Sequence, residues 1–358
     1  MQEKKQFLIL SINPGSTSTK IGLFRNEDNI FETTVKHSIN KLEKFPKIWD
    51  QYNFRKNEII TTLRNNGYKL EELDGIVARG GLIKPIPRGV YKINEAMLKD
   101  AEIGLQGEHA SNLGCVIADS ISKDFSIPSF ITNPPAVDEL EPMARISGLA
   151  NIERNSLFHA LNIFATARKF AQDCKKDFFE LNLIVAHLGG GITVAALERG
   201  KAINVNNGLG EGPFTPERSG GLPLFQFLDL CFSGKYTKNQ IKKMLVGKGG
   251  LVSYFNTNDA LEVEIKAKED ESFRLIFEAM AYQVAQEIGA RATNLKGKVD
   301  AIILTGGIAR SQILNDWIKE RVSFISDIHI YPGENELQAL ALAGLRVLRK
   351  EETPKVYQ

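Results

Sequence analysis

One ordered pattern occurs twice in this chain and narrows its possible folds more than any other feature. Residues 7–12 read as a strand, a turn of small residues follows, and residues 20–24 read as a second strand. Beyond a polar turn at 25–29, a third strand lies near 30–35. At residue 183 the order starts again: strand 183–187, glycine turn 188–191, strand 192–197, turn 198–200, strand 201–205. The two stretches share their order without obvious sequence identity, as a duplicated α/β domain would. A length of 358 residues agrees with two domains of ordinary size.

Between and after the repeats the apolar spacing changes period. Helices are expected at 53–66, 109–122 and 156–171, and short buried strands at 75–78 and 127–131. Residues 272–294 give the clearest helix, with Phe273, Ile276, Phe277, Met280, Val284 and Ile288 on one face and Asp270 and Glu271 at its N-terminal dipole. A strand at 299–304 runs into Thr305-Gly306-Gly307, with a helix expected from Ala309, and a last helix is expected at 336–349.

Several function classes drop out on composition. A net charge of +2, with no basic block interleaved with aromatics, gives no footprint for nucleic acid. Cys115, Cys174 and Cys231 are odd in number and far apart, so they read as thiols of a reducing compartment. Lys4-Lys5 before an apolar run resembles the start of a leader, but the run breaks at Asn13-Pro14-Gly15. No stretch has the roughly 18 apolar residues of a membrane span. A soluble, cytoplasmic protein is expected.

The chemistry sits in three small-residue loops at strand ends: Asn13-Pro14-Gly15-Ser16-Thr17-Ser18-Thr19-Lys20, His187-Leu188-Gly189-Gly190-Gly191, and Thr305-Gly306-Gly307. Glycine allows positive φ and close approach to a ligand, and successive free N–H groups make a concave anion site. The first loop adds hydroxyls and the charge of Lys20. Taken singly, each loop is as well explained by a tight turn. None has the dinucleotide-binding or P-loop pattern, because a strand follows Gly191 where those motifs need a helix, and no Gly-Lys-Ser/Thr is present.

Taken together in this order, the loops resemble those of the actin, sugar kinase and heat-shock ATPase superfamily. The first loop is similar to the Asn-x-Gly-Ser-Ser-Ser-x-Lys opening of the acetate kinase family. Phe158-His159, Phe214-Thr215-Pro216, Arg218-Ser219-Gly220 and Leu304-Thr305-Gly306-Gly307 follow in that family's order. Ala78-Arg79-Gly80-Gly81, Val137-Asp138-Glu139-Leu140 and Ala144-Arg145-Ile146-Ser147-Gly148 resemble its butyrate kinase branch. The resemblance spans essentially the whole chain.

That resemblance implies two ribonuclease-H-like α/β lobes, 1–150 and 151–335, with the last helix packed back on the first and a cleft between the lobes. It implies ATP, ADP and Mg²⁺ as cofactors, a small carboxylate as substrate, and a homo-oligomer of at least two chains. Asn13, Gly15, Ser16, Thr17, Ser18 and Lys20 would face the phosphates, with Asn13 also at the metal. Gly189, Gly190 and Gly191 would form the second phosphate hairpin beside His187, and Gly306 and Gly307 would face the adenosine. His159 and Arg218 would stabilise the phosphoryl group in flight, a task suited to arginine's planar fork.

Three positions depart from the family pattern. Arg79 directly precedes the Gly-Gly that usually follows the substrate arginine by several residues, and it is expected to substitute. The family's catalytic aspartate falls on Asn133, so either that role is lost or Asp138 supplies it. The metal carboxylate could be Glu334 or Glu336. The segment before Arg218 is shorter than acetate kinases normally show, which favours butyrate or a branched short-chain acid. An acetate or propionate kinase, and a non-catalytic or ATPase-type nucleotide switch kept in view by Asn133, are the alternatives.

Overall fold

Two seams divide the chain into compact units, one of Met1–Val137 with Asn335–Gln358 and one of Asp138–Glu334. The computed structural model describes residues 5–358, and Lys4 of the basic pair lies outside them.

The first unit is built on one mixed sheet. Its strands are β1 (Leu8–Pro14), β2 (Ser18–Arg25), β3 (Asp28–Lys36), β4 (Gly75–Arg79), β5 (Val90–Lys92) and β6 (Ser129–Thr132). A terminal strand, Lys355–Val356, completes the order terminal–β5–β6–β4–β1–β2–β3. β1 and β2 form an antiparallel hairpin, β3 continues it, and β4 and then β6 lie parallel to β1. The helices α1 (Tyr52–Asn65) and α2 (Leu113–Phe125) bury Ile59, Leu63 and Ile117 in the same core as Leu10, Ile12, Ile21 and Leu23. The terminal helix, Glu336–Leu348, packs on β1 and β4, where Gly344 lets its backbone come up against Val77.

The second unit repeats the plan. It contains α3 (Ala160–Asp173), β7 (Asn182–Leu188), β8 (Ile192–Glu198), β9 (Lys201–Val205), α4 (Glu271–Asn294), β10 (Ala301–Gly306), α5 (Gln312–Val322) and β11 (Ile328–Pro332). The sheet order β11–β10–β7–β8–β9 matches β6–β4–β1–β2–β3 strand for strand, with the same antiparallel hairpins and the same two parallel neighbours. Even an irregularity recurs, at Leu23/Phe24 in one sheet and at Ala196/Leu197 in the other. The duplicated α/β architecture expected from the repeat is thus the observed one. In α4, Phe277, Met280, Val284 and Ile288 are fully buried, as the spacing predicts.

The seam after Val137 lies earlier than the sequence suggested, for a visible reason. Asp138 accepts from both guanidinium arms of Arg145 (2.9 and 2.6 Å), Glu139 accepts from the Ala202 amide, and the Glu141 amide donates to the Ile203 carbonyl. The first pair folds residues 138–145 on themselves, and the other two contacts tie them to β9 of the second unit. Sequence reading also passed over β5, β11, the terminal strand and the helices Glu95–Ile103, Leu224–Phe232, Lys238–Leu245 and Ala260–Lys266.

Candidate active site

In the first unit the small-residue loop is the tip of the β1–β2 hairpin. The Gly15 amide donates to the Ser18 carbonyl (2.7 Å), and Ser16, Thr17 and Lys20 are exposed. At the base of the hairpin, Asn13 pairs across the strands with Lys20. Asn13 is buried and donates its amide to Glu336, which also pairs with Arg79 (3.0 Å). The structure therefore gathers Asn13, Arg79 and Glu336 into one cluster. The Nε–H of Arg79 is buried and meets no acceptor.

Beneath the same hairpin lies a residue that the sequence did not flag. Arg55, at 0% exposure, donates to the carbonyls of Gly15 (2.7 Å), Ser16 (2.8 Å) and Ser18 (3.2 Å) and to Gln51 Oε1. Burial lowers its pKa to about 10. Next to it, His37 Nε2 meets Thr19 Oγ1 (2.9 Å) while its Nδ1 is buried without a partner. Burial, with the charges of Arg55 and Lys41, lowers the His37 pKa to about 4.

In the second unit the glycine hairpin closes β7 on β8, with the Gly189 amide donating to the Gly191 carbonyl. His187, at the end of β7, is buried between Asn162 Oδ1 (2.8 Å from Nδ1) and Glu334 Oε1 (3.2 Å from Nε2). The ring of His159 stacks on it at 3.9 Å, held through Nδ1 by Thr193 Oγ1 (2.9 Å). A Cβ on Gly191 would run into the Arg218 guanidinium and stand 3.0 Å from His159 Cε1, so glycine is required for all three to meet. Arg218 Nη1 donates to the Gly208 carbonyl (2.7 Å), while its Nε–H is buried without an acceptor. Burial lowers the Arg218 pKa. The turn carrying Arg218 is short: Thr215 donates its hydroxyl to the Gly190 carbonyl and accepts from the Arg218 amide, fixing the turn to the hairpin.

The third loop ends β10. Gly306, at φ +91°, lies so close to the Leu188 carbonyl that no side chain fits, whereas space is open above Gly307. A cavity of about 440 Å³ opens between Gly189 and Gly190 on one side and Gly307 and Ile308 on another, with Ala260, Leu261 and Phe277 as apolar lining and Glu334 at its edge. Asn258, Asp259, Glu264, Arg310 and Ser311 add polar and charged groups to its wall, and a volume of this order suits a small-molecule site. The structure thus brings His159, His187, Arg218 and the two glycine loops of this unit together.

Two expected residues are placed elsewhere. The Asp138 side chain is buried, and both its carboxylate oxygens are occupied by Arg145. It anchors a segment rather than presenting a free carboxylate. Asn133 adopts φ +39° and accepts from the Gly89 amide (2.8 Å), a turn-closing role that asparagine fills with little strain. Glu334 and Glu336 make different contacts: Glu334 meets His187, and Glu336 meets Asn13. Among the described residues no three His, Cys, Asp or Glu side chains group to hold a metal. Sequence reading assigned no role to Asn162, Thr193 or Thr215, which hold the two histidines and the turn of Arg218; Asn162 and Thr193 do so across 25 and 34 residues, which local sequence cannot show.

Residues 152–328, the span holding His159, His187, Arg218 and Gly306-Gly307, match the sequence profile of the acetokinase family. The fold resembles the acetate kinase of Porphyromonas gingivalis with a TM-score of 0.79 at 17% identity, covering 96% of this chain and 100% of that one. The propionate kinase from Francisella tularensis subsp. tularensis SCHU S4 follows at 0.76 and 18%, covering 94% and 98%. The acetate kinase from Entamoeba histolytica gives 0.74 and 15%, covering 93% and 97%. The chain has the two-domain α/β fold of these kinases, and its residues 152–328 are similar to the acetokinase family.

Proposed function

We propose that the protein is an acid kinase that transfers the γ-phosphoryl group of ATP to butyrate or a branched short-chain carboxylate. A carboxylate oxygen attacks the γ-phosphorus, the bond to the β–γ bridging oxygen breaks, and acyl phosphate and ADP result. The observation carrying this reading is the convergence of His159 and Arg218 on Gly191, beside a cavity walled by both glycine loops. Phosphoryl transfer asks for positioned positive charge around the equatorial oxygens and little covalent chemistry from protein. Arg218 supplies a guanidinium whose buried Nε–H is still without an acceptor, a donor suited to a ligand oxygen.

The residues present fit the nucleotide and the metal. Gly190 and Gly307 are open backbone beside the cavity, able to face phosphate and adenosine. Asn13 and Glu336 offer two oxygen donors, and Mg²⁺ commonly takes one or two carboxylates, substrate phosphates and water. When bound, the ion neutralises charge on the phosphates. Arg79, whose present partner is Glu336, is assigned the substrate carboxylate. Lys20, exposed at the hairpin, is assigned to the phosphates.

The acetate or propionate reading is the second one, favoured by the identity of the structural relatives. The nucleotide-switch reading is the third: Asn133 holds a turn by accepting from the Gly89 amide and offers no carboxylate at that position. A homo-oligomer in the cytoplasm belongs to the same proposal; among the described residues no helix is long and apolar enough to cross a membrane. The test is hydroxamate trapping of acyl phosphate across a series of acids. Product with butyrate supports the reading, acetate preference favours the second, and ATP turnover without acyl phosphate overturns both.

A further inference from the structure

A buried guanidinium ordinarily has a carboxylate for company. In the second unit, Arg291 illustrates the rule: it is buried, donates to the Val194 carbonyl and pairs with Glu287. Arg55 departs from it. Its acceptors are all neutral oxygens, belonging to Gly15, Ser16, Ser18, Thr19 and Gln51, and among the described residues no carboxylate forms an ion pair with it. It is fully buried, and its guanidinium donates through Nε, Nη1 and Nη2 alike. A full positive charge is thus held under the tip of a hairpin with nothing negative to balance it.

Two consequences follow from this geometry. The carbonyls of Gly15, Ser16 and Ser18 are drawn down onto Arg55, which fixes the loop backbone in a single conformation and commits its acceptors to the underside. The uncompensated charge also makes the surface above electropositive in a place where solvent screens it poorly. Both effects favour an anion on the outer face of the hairpin, where Ser16, Thr17 and Lys20 are exposed.

We propose that Arg55 is the positioning residue of the first phosphate hairpin: it acts through the loop it holds and supplies from below the charge that a bound polyphosphate balances. This rests on the acid-kinase reading, in which that hairpin grips the phosphates of ATP. Arg55 does not touch the ligand, because its donors are already engaged.

The test compares Arg55→Gln, Arg55→Lys and Lys20→Ala in the full chain, with circular dichroism to establish folding. Steady-state kinetics then give KM for ATP and for the acid separately. Arg55→Gln is expected to raise the KM for ATP by about tenfold, the worth of one buried-charge contact, while the KM for the acid moves less than about twofold. Arg55→Lys keeps the charge but cannot grip three carbonyls at once, so it should recover part of the ATP affinity and leave the rest lost. A KM for ATP that is unchanged in folded Arg55→Gln overturns the proposal, as does an equal rise in both KM values, the sign of general damage. The Lys20→Ala arm separates this from the underlying reading: if it raises the KM for ATP while Arg55→Gln does not, the hairpin still binds phosphate and only the role of Arg55 falls. Should Arg55→Gln not fold, Gln51→Met removes one side-chain acceptor and carries the same comparison. A selective rise in the KM for ATP supports the proposal, and none overturns it.

Discussion

His159 lies nearly flat on His187, with ring centroids 3.9 Å apart and planes 16° from parallel. Each ring is pinned by its own partner, Thr193 for His159 and Asn162 with Glu334 for His187. The stack places two imidazoles at the root of the glycine hairpin, and Gly191 brings the Arg218 guanidinium up to the first of them. A group built this way can meet charge developing on a phosphoryl oxygen without reorganising, which is where electrostatic catalysis gains most.

Removing either His159 or Arg218 from that group should therefore cost turnover more than binding. His159→Ala and Arg218→Ala are each expected to lower kcat by about two orders of magnitude or more. Steady-state kinetics on folded variants decide it, and a near-normal kcat would return the residue to a purely structural role.

The two C-terminal glutamates make a sharper pair. Glu336 stands against Asn13 and Arg79, while Glu334 stands against His187 at the rim of the cavity. Glu336→Gln should raise the Mg²⁺ concentration needed for half-maximal rate by about tenfold, the value of one carboxylate–metal contact. Glu334→Gln should leave that requirement within about twofold and act on the nucleotide instead. A metal titration of both variants checks the assignment, and the reverse pattern would exchange the two residues.

His37 links the first hairpin to pH. Its folded pKa is about 4 against 6.5 for the free side chain, because burial and the charges of Arg55 and Lys41 oppose protonation. Below pH 6.5 the unfolded chain binds a proton that the folded chain refuses, so this contribution to stability is present above 6.5 and lost as pH falls towards 4. His37→Gln should flatten the fall in melting temperature across that window. A wild-type slope retained in the variant would show that other groups set it.

The architecture was legible because it is a matter of order. Strand, small-residue hairpin and strand recur in the same order, and glycines mark places where a side chain cannot fit, as at Gly191 and Gly306. The motifs around the histidines and Arg218 drew attention to them, and the structure brings them together. Arg55 was not, because in sequence it is one more basic residue on a polar helix, and only the packing of α1 under the hairpin shows what it holds. Asp138 misled for the complementary reason. A carboxylate near the expected position looks free until its partner seven residues on, Arg145, is seen to take both oxygens.

Substrate choice is the last prediction and depends on the turn that carries Arg218. Thr215 and Arg218 are joined directly, amide to carbonyl (3.0 Å), with only Pro216 and Glu217 between them. The wall beside the transfer group is therefore a tight turn with no protruding loop. An acid of four or five carbons gains apolar burial at about 25 cal/mol per Å² that acetate cannot offer, provided the space is there to receive it. A roomy pocket binds acetate poorly, because the carboxylate must still be immobilised while the space beyond the methyl group stays unfilled. The expected outcome is a kcat/KM for butyrate, isobutyrate or isovalerate that exceeds the value for acetate by about tenfold or more, the worth of one to two methylenes. Propionate should fall between them. A preference for acetate would mean that side chains fill the space left by the short turn; it would replace the butyrate assignment with the acetate one and leave the His159–Arg218 chemistry as argued.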